Sequence, residues 1–516
     1  MKRTLCLLLV MLLAISATPA LAENVQDSLI VGIYSTRTNE IRPLNPLERD
    51  IVSVYGMVYE SLVTVDDTGL PQPLLAENWT ESDNGKTWTF TLRENVTFSD
   101  GTPLTANDVV ASGKYLLTMA NSEDETARGF YQNIRYMIKD FSATDDRTVV
   151  VKTSRSYYGI LYALTFPVVP MSQVDMPNPL GTGPYRIDTF QPGNYIWLKV
   201  NDKWWQTKPQ VQEIMVSLFT SNKDLITAYE YGRVDTAFTR SISASQYKSG
   251  NSSLAITYST RQLETLLLNN TSYPLDDVNV RKAIRAAIDT KLISEKVYMG
   301  MTVDADTPIA STSWLYYDQT NEYQYNLELA QKLLADSGWS DIDGDGVLDK
   351  AIGDDKVKHL YLHLLVYEDP ENDVRFETAN MIADMLGALK ISVTVDTVDY
   401  TEEKAKLEAN SFDMALASFQ MDVTPDAGFM LMKGNSGNYC RYVSSEMSSL
   451  FETLRNSVTQ EDYARTQQSI QQQFANDVPF ICLFYRSGAV LTRKMYTTVR
   501  DIREFELLRG IEAFGR

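Results

Sequence analysis

Histidine and cysteine are scarce in this chain, and their scarcity excludes several kinds of site. The 516 residues include two histidines and three cysteines. A serine or cysteine triad needs a histidine as its base, yet only His359 and His363 are available, and no Gly-x-Ser-x-Gly turn accompanies them. We expect both histidines on one core strand, about 13 Å apart, which is too far to share a metal ion.

Positive charge is also in deficit. The chain has 47 Lys and Arg against 67 Asp and Glu, a formal net charge of −20. A surface this acidic repels the phosphates of nucleic acids and of anionic membranes, so we expect no nucleic-acid partner. A carboxylate pair of the kind that hydrolyses glycosides stays open, although no motif singles one out.

A long hydrophobic run occurs only at the start. Two basic residues, an apolar run over residues 5–15 and a small-x-small pattern ending at Ala22 indicate a signal peptide, residues 1–22, that is cleaved after Ala22. The run is shorter than the roughly 20 residues that a membrane span needs. A lipoprotein would carry cysteine at the cleavage point, but Cys6 lies inside the run and Glu23 follows Ala22. We therefore expect a periplasmic or secreted protein without a lipid anchor.

Cys440 and Cys482 are the cysteines that remain after this cleavage. The compartment is oxidising, but sequence spacing does not fix the geometry that a disulfide needs. One bridge and two unpaired thiols are both open.

The length indicates two or three domains, and residues 51–151 show short alternating runs between turns. The predicted elements are strands 62–65, 87–92 and 148–152 and one helix from Ala106 to about Met119. The helix start is the clearest signal, because Thr105 and Asp108 have the spacing of a capping box and follow the turn pair Asp100 and Gly101. We predict a β-rich subdomain with a helix laid on it.

Residues 360–419 alternate strands and helices. The predicted order is strand 360–367, helix 373–389, strand 391–395, helix 402–409 and strand 412–419. This βαβαβ order predicts a parallel sheet, and ligands bind beyond the carboxyl ends of such strands. The loop at residues 420–430 is therefore the predicted ligand site. The apolar residues expected on the buried face of the first helix are Phe376, Ala379, Ala383, Leu386 and Leu389.

Motifs along almost the whole mature chain resemble one protein family. In chain order they are LVTVDDTGLPQPLLAENW at 62–79, TWTFTLRENVTFSDGTPLTANDVV at 87–110, LGTGPYRI at 180–187, NDKWW at 201–205, LLLNNTSYPLDDVNVRKAIRAAID at 266–289, YNLELAQKLLADSGW at 325–339 and DVPFICLFY at 477–485. Each motif alone is weak. Together, and in this order, they resemble the family 5 extracellular solute-binding proteins, the dipeptide, oligopeptide and nickel receptors of ABC importers.

The resemblance implies an α/β fold, the two-lobed periplasmic-binding-protein fold of the large, type II-like kind (cluster C), with an extra β-rich subdomain in lobe one. The expected limits are 23–269 plus 486–516 for lobe one, about 51–175 for its subdomain, 270–480 for lobe two, and about 266–270 and 480–485 for the hinge strands. Because the lobes are interleaved in sequence, no linker separates them.

The resemblance also implies a function. Such a protein binds a peptide between two lobes that close on it, and delivers it to the membrane permease of an ABC transporter. No bond is made or broken, so the implied protein is a binding protein, expected as a monomer, and not an enzyme. Two alternatives stay open. The same scaffold can bind a non-peptide solute (an oligosaccharide, an opine or a metal chelate), or the chain is a secreted enzyme or a peptide-sensing receptor.

Two acids in the predicted ligand loop are the first site candidates. Asp422 and Asp426 resemble the family's aspartate-proline loop, whose acid pairs with the α-amino group of a bound peptide. Asp426 can instead cap a short helix, so Asp422 is the better candidate.

Further candidates come from residue type. Arg375 either receives a ligand carboxylate or is a solvated charge at a helix start. Tyr185 and Trp204 are expected as aromatic walls of the pocket. Because adjacent residues of an extended segment face opposite ways, at most one of Trp204 and Trp205 is expected to face the cleft.

An acidic loop, DIDGDGVLDK, is the candidate metal site. The residues that match positions one, three, five and nine of a calcium loop are Asp341, Asp343, Asp345 and Asp349. Ile352 stands where the closing glutamate would be. We expect no cofactor beyond a weakly bound calcium ion, and a solvated acidic turn is the alternative.

Overall fold

The computed structural model describes residues 28–123, 130–248, 253–353, 356–369, 373–493, 502–504 and 506. The predicted signal peptide and its cleavage point lie outside the described residues. No helix within these ranges has the length and apolar character to cross a membrane.

Strands and helices alternate irregularly along the described residues. The strands are β1 (Ser28–Tyr34), β2 (Val63–Val65), β3 (Pro71–Pro73), β4 (Ala76–Ser82), β5 (Thr87–Leu92), β6 (Ile138–Asp145), β7 (Thr148–Thr153), β8 (Tyr185–Gln191), β9 (Tyr195–Val200), β10 (Glu213–Phe219), β11 (Thr236–Thr239), β12 (Ser253–Leu268), β13 (Thr302–Asp304), β14 (Asp349–Gly353), β15 (Lys356–His359), β16 (Tyr361–Tyr367), β17 (Ser392–Val398), β18 (Met414–Gln420) and β19 (Phe480–Arg493). The α-helices are α1 (Arg49–Tyr55), α2 (Ala106–Ala120), α3 (Ile134–Met137), α4 (Ile160–Ala163), α5 (Asn222–Glu230), α6 (Val278–Ala287), α7 (Thr290–Lys296), α8 (Leu327–Asp336), α9 (Val374–Gly387), α10 (Tyr400–Glu408), α11 (Gly428–Leu431), α12 (Ser445–Leu454) and α13 (Gln460–Asp477).

One large sheet runs through the molecule in the order β17-β16-β18-β12-β19-β11-β1-β10-β9-β8, and β13 pairs with β19 beside this path. The long strands β12 and β19 lie at its centre and pair antiparallel along most of their length. Their register shifts between Ser259 and Leu263. The limits predicted for the two lobes and for the hinge strands stay predictions.

The βαβαβ unit has the predicted order. β16 lies between β17 and β18 and is parallel to both, with α9 and α10 as the crossovers. The carboxyl end of β18 leads directly into the predicted ligand loop.

The buried face of α9 matches the prediction in part. Ala379 and Leu386 are buried as predicted, and so is Leu389 just beyond the helix, whereas Phe376 is 44% exposed. Val374, Arg375 and Ile382 are buried although the prediction did not include them. Val374, Ile382 and Leu386 follow spacings of four and eight residues, which keeps them on one side of a helix. Phe376, two residues after Val374, lies on the opposite side.

The β-rich subdomain is confirmed as a four-stranded antiparallel sheet in the order β4-β5-β7-β6, with α2 packed against it. The predicted capping box forms at the start of α2, where the Asp108 carboxylate accepts the Thr105 N–H at 2.9 Å. The other oxygen of Asp108 accepts the Met171 N–H at 2.8 Å. The Asp108 side chain therefore caps α2 and also holds the segment at Met171 against the start of this helix.

Cys440 and Cys482 are both buried, free thiols. Of the two open alternatives, the structure therefore has unpaired cysteines that pack as small apolar side chains. Burial raises the pKa of the Cys440 thiol to about 12. It also raises the pKa of the Cys482 thiol well above its ordinary value, so both stay protonated and unreactive.

The prediction that the two histidines share a core strand is wrong. His359 ends β15, which pairs with β14, whereas His363 lies on β16 in the large sheet. The His363 side chain is 60% exposed and its Nδ1 lies 2.9 Å from Asp396 Oδ2. The sequence pattern hides this break because Leu360, which lies between the two strands, is buried like Leu362 and Leu364 and continues their alternation.

Candidate ligand-binding cleft

A cavity of about 860 Å³ lies beyond the carboxyl end of β18. The predicted ligand loop forms one wall, and Gln420, Met421, Asp422, Thr424 and Asp426 all line the cavity. The facing wall comes from the β-rich subdomain and the segments that follow it. The cavity therefore lies between parts of the chain that are distant in sequence, since Asn133 and Asp422, which meet across it, are 289 residues apart. Ligands of open α/β sheets bind beyond the carboxyl ends of the strands.

Asp422 is exposed in this cavity. One of its oxygens accepts the Thr424 N–H at 3.1 Å, and the other accepts a hydrogen bond from the side-chain amide of Asn133 on the facing wall. Arg261 of β12 lines the same cavity. Burial lowers the pKa of Arg261 to about 10, and the negative charge of Asp422 opposes that shift.

Asp426 has a different role, because an arginine already holds it. Both of its oxygens accept hydrogen bonds from the Arg455 guanidinium, at 2.9 and 3.0 Å. One oxygen also accepts the Gly428 N–H at the first residue of α11, at 2.8 Å. This paired charge fixes the loop to α12, and Asp422 is the acid with exposed carboxylate surface.

A second cavity, of about 440 Å³, adjoins the first, and both are lined by Phe130, Arg261 and Val423. Trp204 and Trp205 both line it, and both indole N–H groups donate to the buried carboxylate of Glu60, at 3.2 and 2.9 Å. The prediction that at most one of these tryptophans faces the cleft is wrong. The chain turns at residues 202–206 and is not extended there.

Burial raises the pKa of Glu60 to about 7, and the hydrogen bonds from Trp205 and Trp204 oppose this rise. In the unfolded chain the same carboxyl group titrates near 4.5. The neutral form therefore stabilises the fold below pH 4.5, and this contribution is lost as the pH rises through about 7. At the upper end the loss amounts to about 3 kcal/mol.

We expect Glu60→Gln to flatten the decrease in stability between pH 5 and pH 7.5, as measured by urea denaturation at a series of pH values. The decrease does not vanish, because burial also raises the pKa of Glu403 to about 7. The exposed Glu94→Gln serves as the control and should leave the profile unchanged. A Glu60→Gln profile that superimposes on that of the unaltered protein would contradict the prediction.

The model of the family described as bacterial extracellular solute-binding proteins, family 5 Middle, matches residues 71–439. The chain belongs to this family. The oligopeptide-binding protein AppA of Bacillus subtilis is 23% identical over 486 residues, covering 89% of this chain and 86% of AppA. The nickel-binding periplasmic protein of Escherichia coli is 26% identical over 318 residues, 58% of this chain and 60% of that protein.

Solved structures confirm the fold of this family 5 protein. The nickel ABC transporter protein of Bacillus halodurans superimposes with a TM-score of 0.80 at 20% identity, over 95% of this chain and 100% of that one. DppA of Helicobacter pylori in complex with the peptide STSA gives a TM-score of 0.65 at 18% identity, over 93% of this chain and 97% of DppA. The two-lobed α/β fold inferred from the motifs is therefore correct.

Tyr185 does not line the cleft of this family 5 protein. The side chain is fully buried, and its hydroxyl donates to the Val211 carbonyl at 2.9 Å. The prediction is corrected for a simple reason. Tyr185 begins strand β8 and packs in the hydrophobic core, whereas its neighbour Pro184 lines the second cavity together with Trp204.

Arg375 is neither solvated nor a lining residue of the two cavities. It is 7% exposed, lies 3.6 Å from the Glu264 carboxylate, donates to Ser418 Oγ at 2.5 Å and stacks over the Tyr367 ring. Arg486 also lies 2.7 Å from Glu264. These contacts tie α9 to β12, β18 and β19.

Sequence reasoning missed Glu60, Asn133 and Arg261. Glu60 had a signal, because it is the one acid in the apolar stretch YGMVYESLVTV at residues 55–65. No sequence pattern points to Asn133 or Arg261. Both are far from Asp422 in sequence, and only the folded chain brings them close to it.

Proposed function

We propose that this family 5 protein is the extracytoplasmic substrate-binding component of an ABC importer, and that it binds short peptides in the cleft. The observation that carries the proposal is Asp422, an exposed carboxylate in a cavity of about 860 Å³. That size suits a small ligand that the protein surrounds on most sides. Among the relatives, AppA is named as oligopeptide-binding, and a structure of it contains a nonapeptide.

Asp422 receives the α-amino group of the peptide in this proposal. An ammonium group that leaves water needs an anionic partner within hydrogen-bonding distance. The other acid of the loop is neutralised by Arg455. Arg155 lines the same cavity and is exposed, and in this proposal it receives the carboxylate of a short peptide. The ligand is thus held by its ends, and the side chains need only fit the space between.

Binding and release are conformational steps, and the protein is not an enzyme in this proposal. The ligand contacts the β18 loop on one side and the β-rich subdomain on the other, so it stabilises the state in which the two are close. The central strands β12 and β19 connect both sides. The closed, monomeric protein then presents its peptide to a membrane permease.

A metal chelate is the second candidate ligand. The cavity is lined by three arginines, Arg155, Arg261 and Arg455, and by two acids, Asp422 and Asp426. This excess of positive charge suits an anionic chelate. Relatives are named as nickel-binding and heme-binding proteins.

The ligand that the protein carries when it is purified distinguishes these candidates. We expect native mass spectrometry of the mature protein to show bound masses that, after release in acid, fragment as peptides with free α-amino groups. The same protein, unfolded, washed and refolded, is the control and should show none of these masses. Release of a metal chelate or a saccharide instead of peptides would contradict the peptide proposal.

A further inference from the structure

The loop between α8 and β14 brings four carboxylates together away from the cleft. Asp341, Asp343, Asp345 and Asp349 each offer one ligand oxygen, and these oxygens all lie within 4.8 Å of one another. None of the four lines either cavity of the cleft. Exposed acids often cluster in this way without binding an ion, so the cluster alone does not make a site.

Asp349 is the observation that points to a ligand. It is completely buried, and its Oδ1 has no hydrogen-bond partner among the described residues. His359 Nδ1 lies 2.6 Å away, but the two atoms do not have hydrogen-bonding geometry, and this nitrogen also has no hydrogen-bond partner within the described ranges. A buried carboxylate oxygen without a donor is costly. A cation in contact with this oxygen would satisfy it.

Backbone hydrogen bonds to the acids shape the loop. Each acid accepts a backbone N–H of the loop, and the pairs are Asp341 with Gly344, Asp343 with Asp345, Asp345 with Val347 and Asp349 with Ile342, at 2.8 to 3.1 Å. One oxygen of each acid is therefore used to shape the loop. The other oxygen of Asp341 lies 2.6 Å from the Lys390 ammonium, an exposed competitor that an ion can displace.

We propose that this loop binds one calcium ion through Asp341, Asp343, Asp345 and Asp349. Calcium takes six to eight oxygen ligands in flexible geometry, whereas magnesium requires a near-ideal octahedron and keeps its water. The closing bidentate glutamate is replaced by the exposed Ile352. We therefore expect a dissociation constant of roughly 10⁻⁴ to 10⁻³ M, the range of extracellular modules. The inference does not depend on the proposed function.

Terbium luminescence tests this site directly, because Tb³⁺ occupies calcium sites and is excited through a nearby tryptophan. Trp339 precedes the loop, and Ser340 pairs with Asp349 at its base. We expect the mature protein with Tb³⁺ to show sensitised emission that Ca²⁺ displaces at concentrations at least ten-fold lower than Mg²⁺. Calcium should also raise the unfolding temperature of the unaltered protein.

Two variants distinguish binding of Tb³⁺ in this loop from its non-specific attraction to acidic side chains elsewhere on the surface. Asp345→Asn removes one exposed ligand charge and should reduce the emission at least five-fold while the protein stays folded. Asp336→Asn alters an exposed acid at the end of α8 that pairs with Lys332, and should leave the emission unchanged. Equal emission in both variants, equal loss in both, or emission that Ca²⁺ does not displace would overturn the proposal.

Discussion

Asp422→Ala is expected to abolish the rise in unfolding temperature that a short peptide gives to this protein. The variant leaves the peptide's ammonium group in the cleft without its anionic partner. Losing one member of a desolvated charge pair costs about 2 to 5 kcal/mol. This corresponds to a loss of affinity of at least about 30-fold. Isothermal titration with a peptide recovered from the purified protein measures the loss.

Acetylation of the peptide's α-amino group tests the assignment from the other side. If Asp422 holds this group, the acetylated peptide binds the unaltered protein as weakly as it binds Asp422→Ala, because the interaction is already absent. Asp426→Asn is the matched control. It breaks the pair with Arg455 and lowers the unfolding temperature, but the peptide-induced rise remains. Full peptide affinity in Asp422→Ala would remove this residue from the site.

Glu264→Gln is expected to produce the largest loss of stability. Glu264 is 4% exposed and lies between Arg375 and Arg486. The substitution keeps the shape of the side chain but leaves two partly or fully buried guanidinium groups without their anion. Breaking a buried ion pair in this way destabilises a protein by about 3 to 5 kcal/mol. Urea denaturation at pH 7 measures the change in the free energy of unfolding.

An exposed ion pair provides the comparison. Glu402 lies 3.1 Å from Lys406 on the surface of α10, and Glu402→Gln should change stability by less than about 0.5 kcal/mol. Adding Arg375→Met to Glu264→Gln should recover part of the loss, because it removes one unpaired buried charge. A Glu264→Gln variant as stable as Glu402→Gln would show that the ion pairs of Glu264 with Arg375 and Arg486 do not stabilise the packing of α9 on β12 and β19.

The site was only partly predictable from sequence. The loop at residues 420–430 was located by the βαβαβ order, since the end of a parallel strand follows from local periodicity alone. The assignments of Arg375 and Tyr185 failed because each rested on residue type and on an assumed orientation. Arg375 is buried because the buried face of α9 includes Val374 and Ile382 and leaves out Phe376, on which the predicted face began.

The sequence by itself determined the family, the α/β class, the capped helix of the β-rich subdomain and the strand order of the βαβαβ unit. These features depend on periodicity, caps and turns, which are interactions between near neighbours in the chain. Only the tertiary structure decided that Asp426 is bound to Arg455, that two tryptophans share Glu60, that the cysteines are free and that Asp422 faces Asn133. Each of these depends on contacts between segments far apart in sequence, whose distances no local pattern specifies.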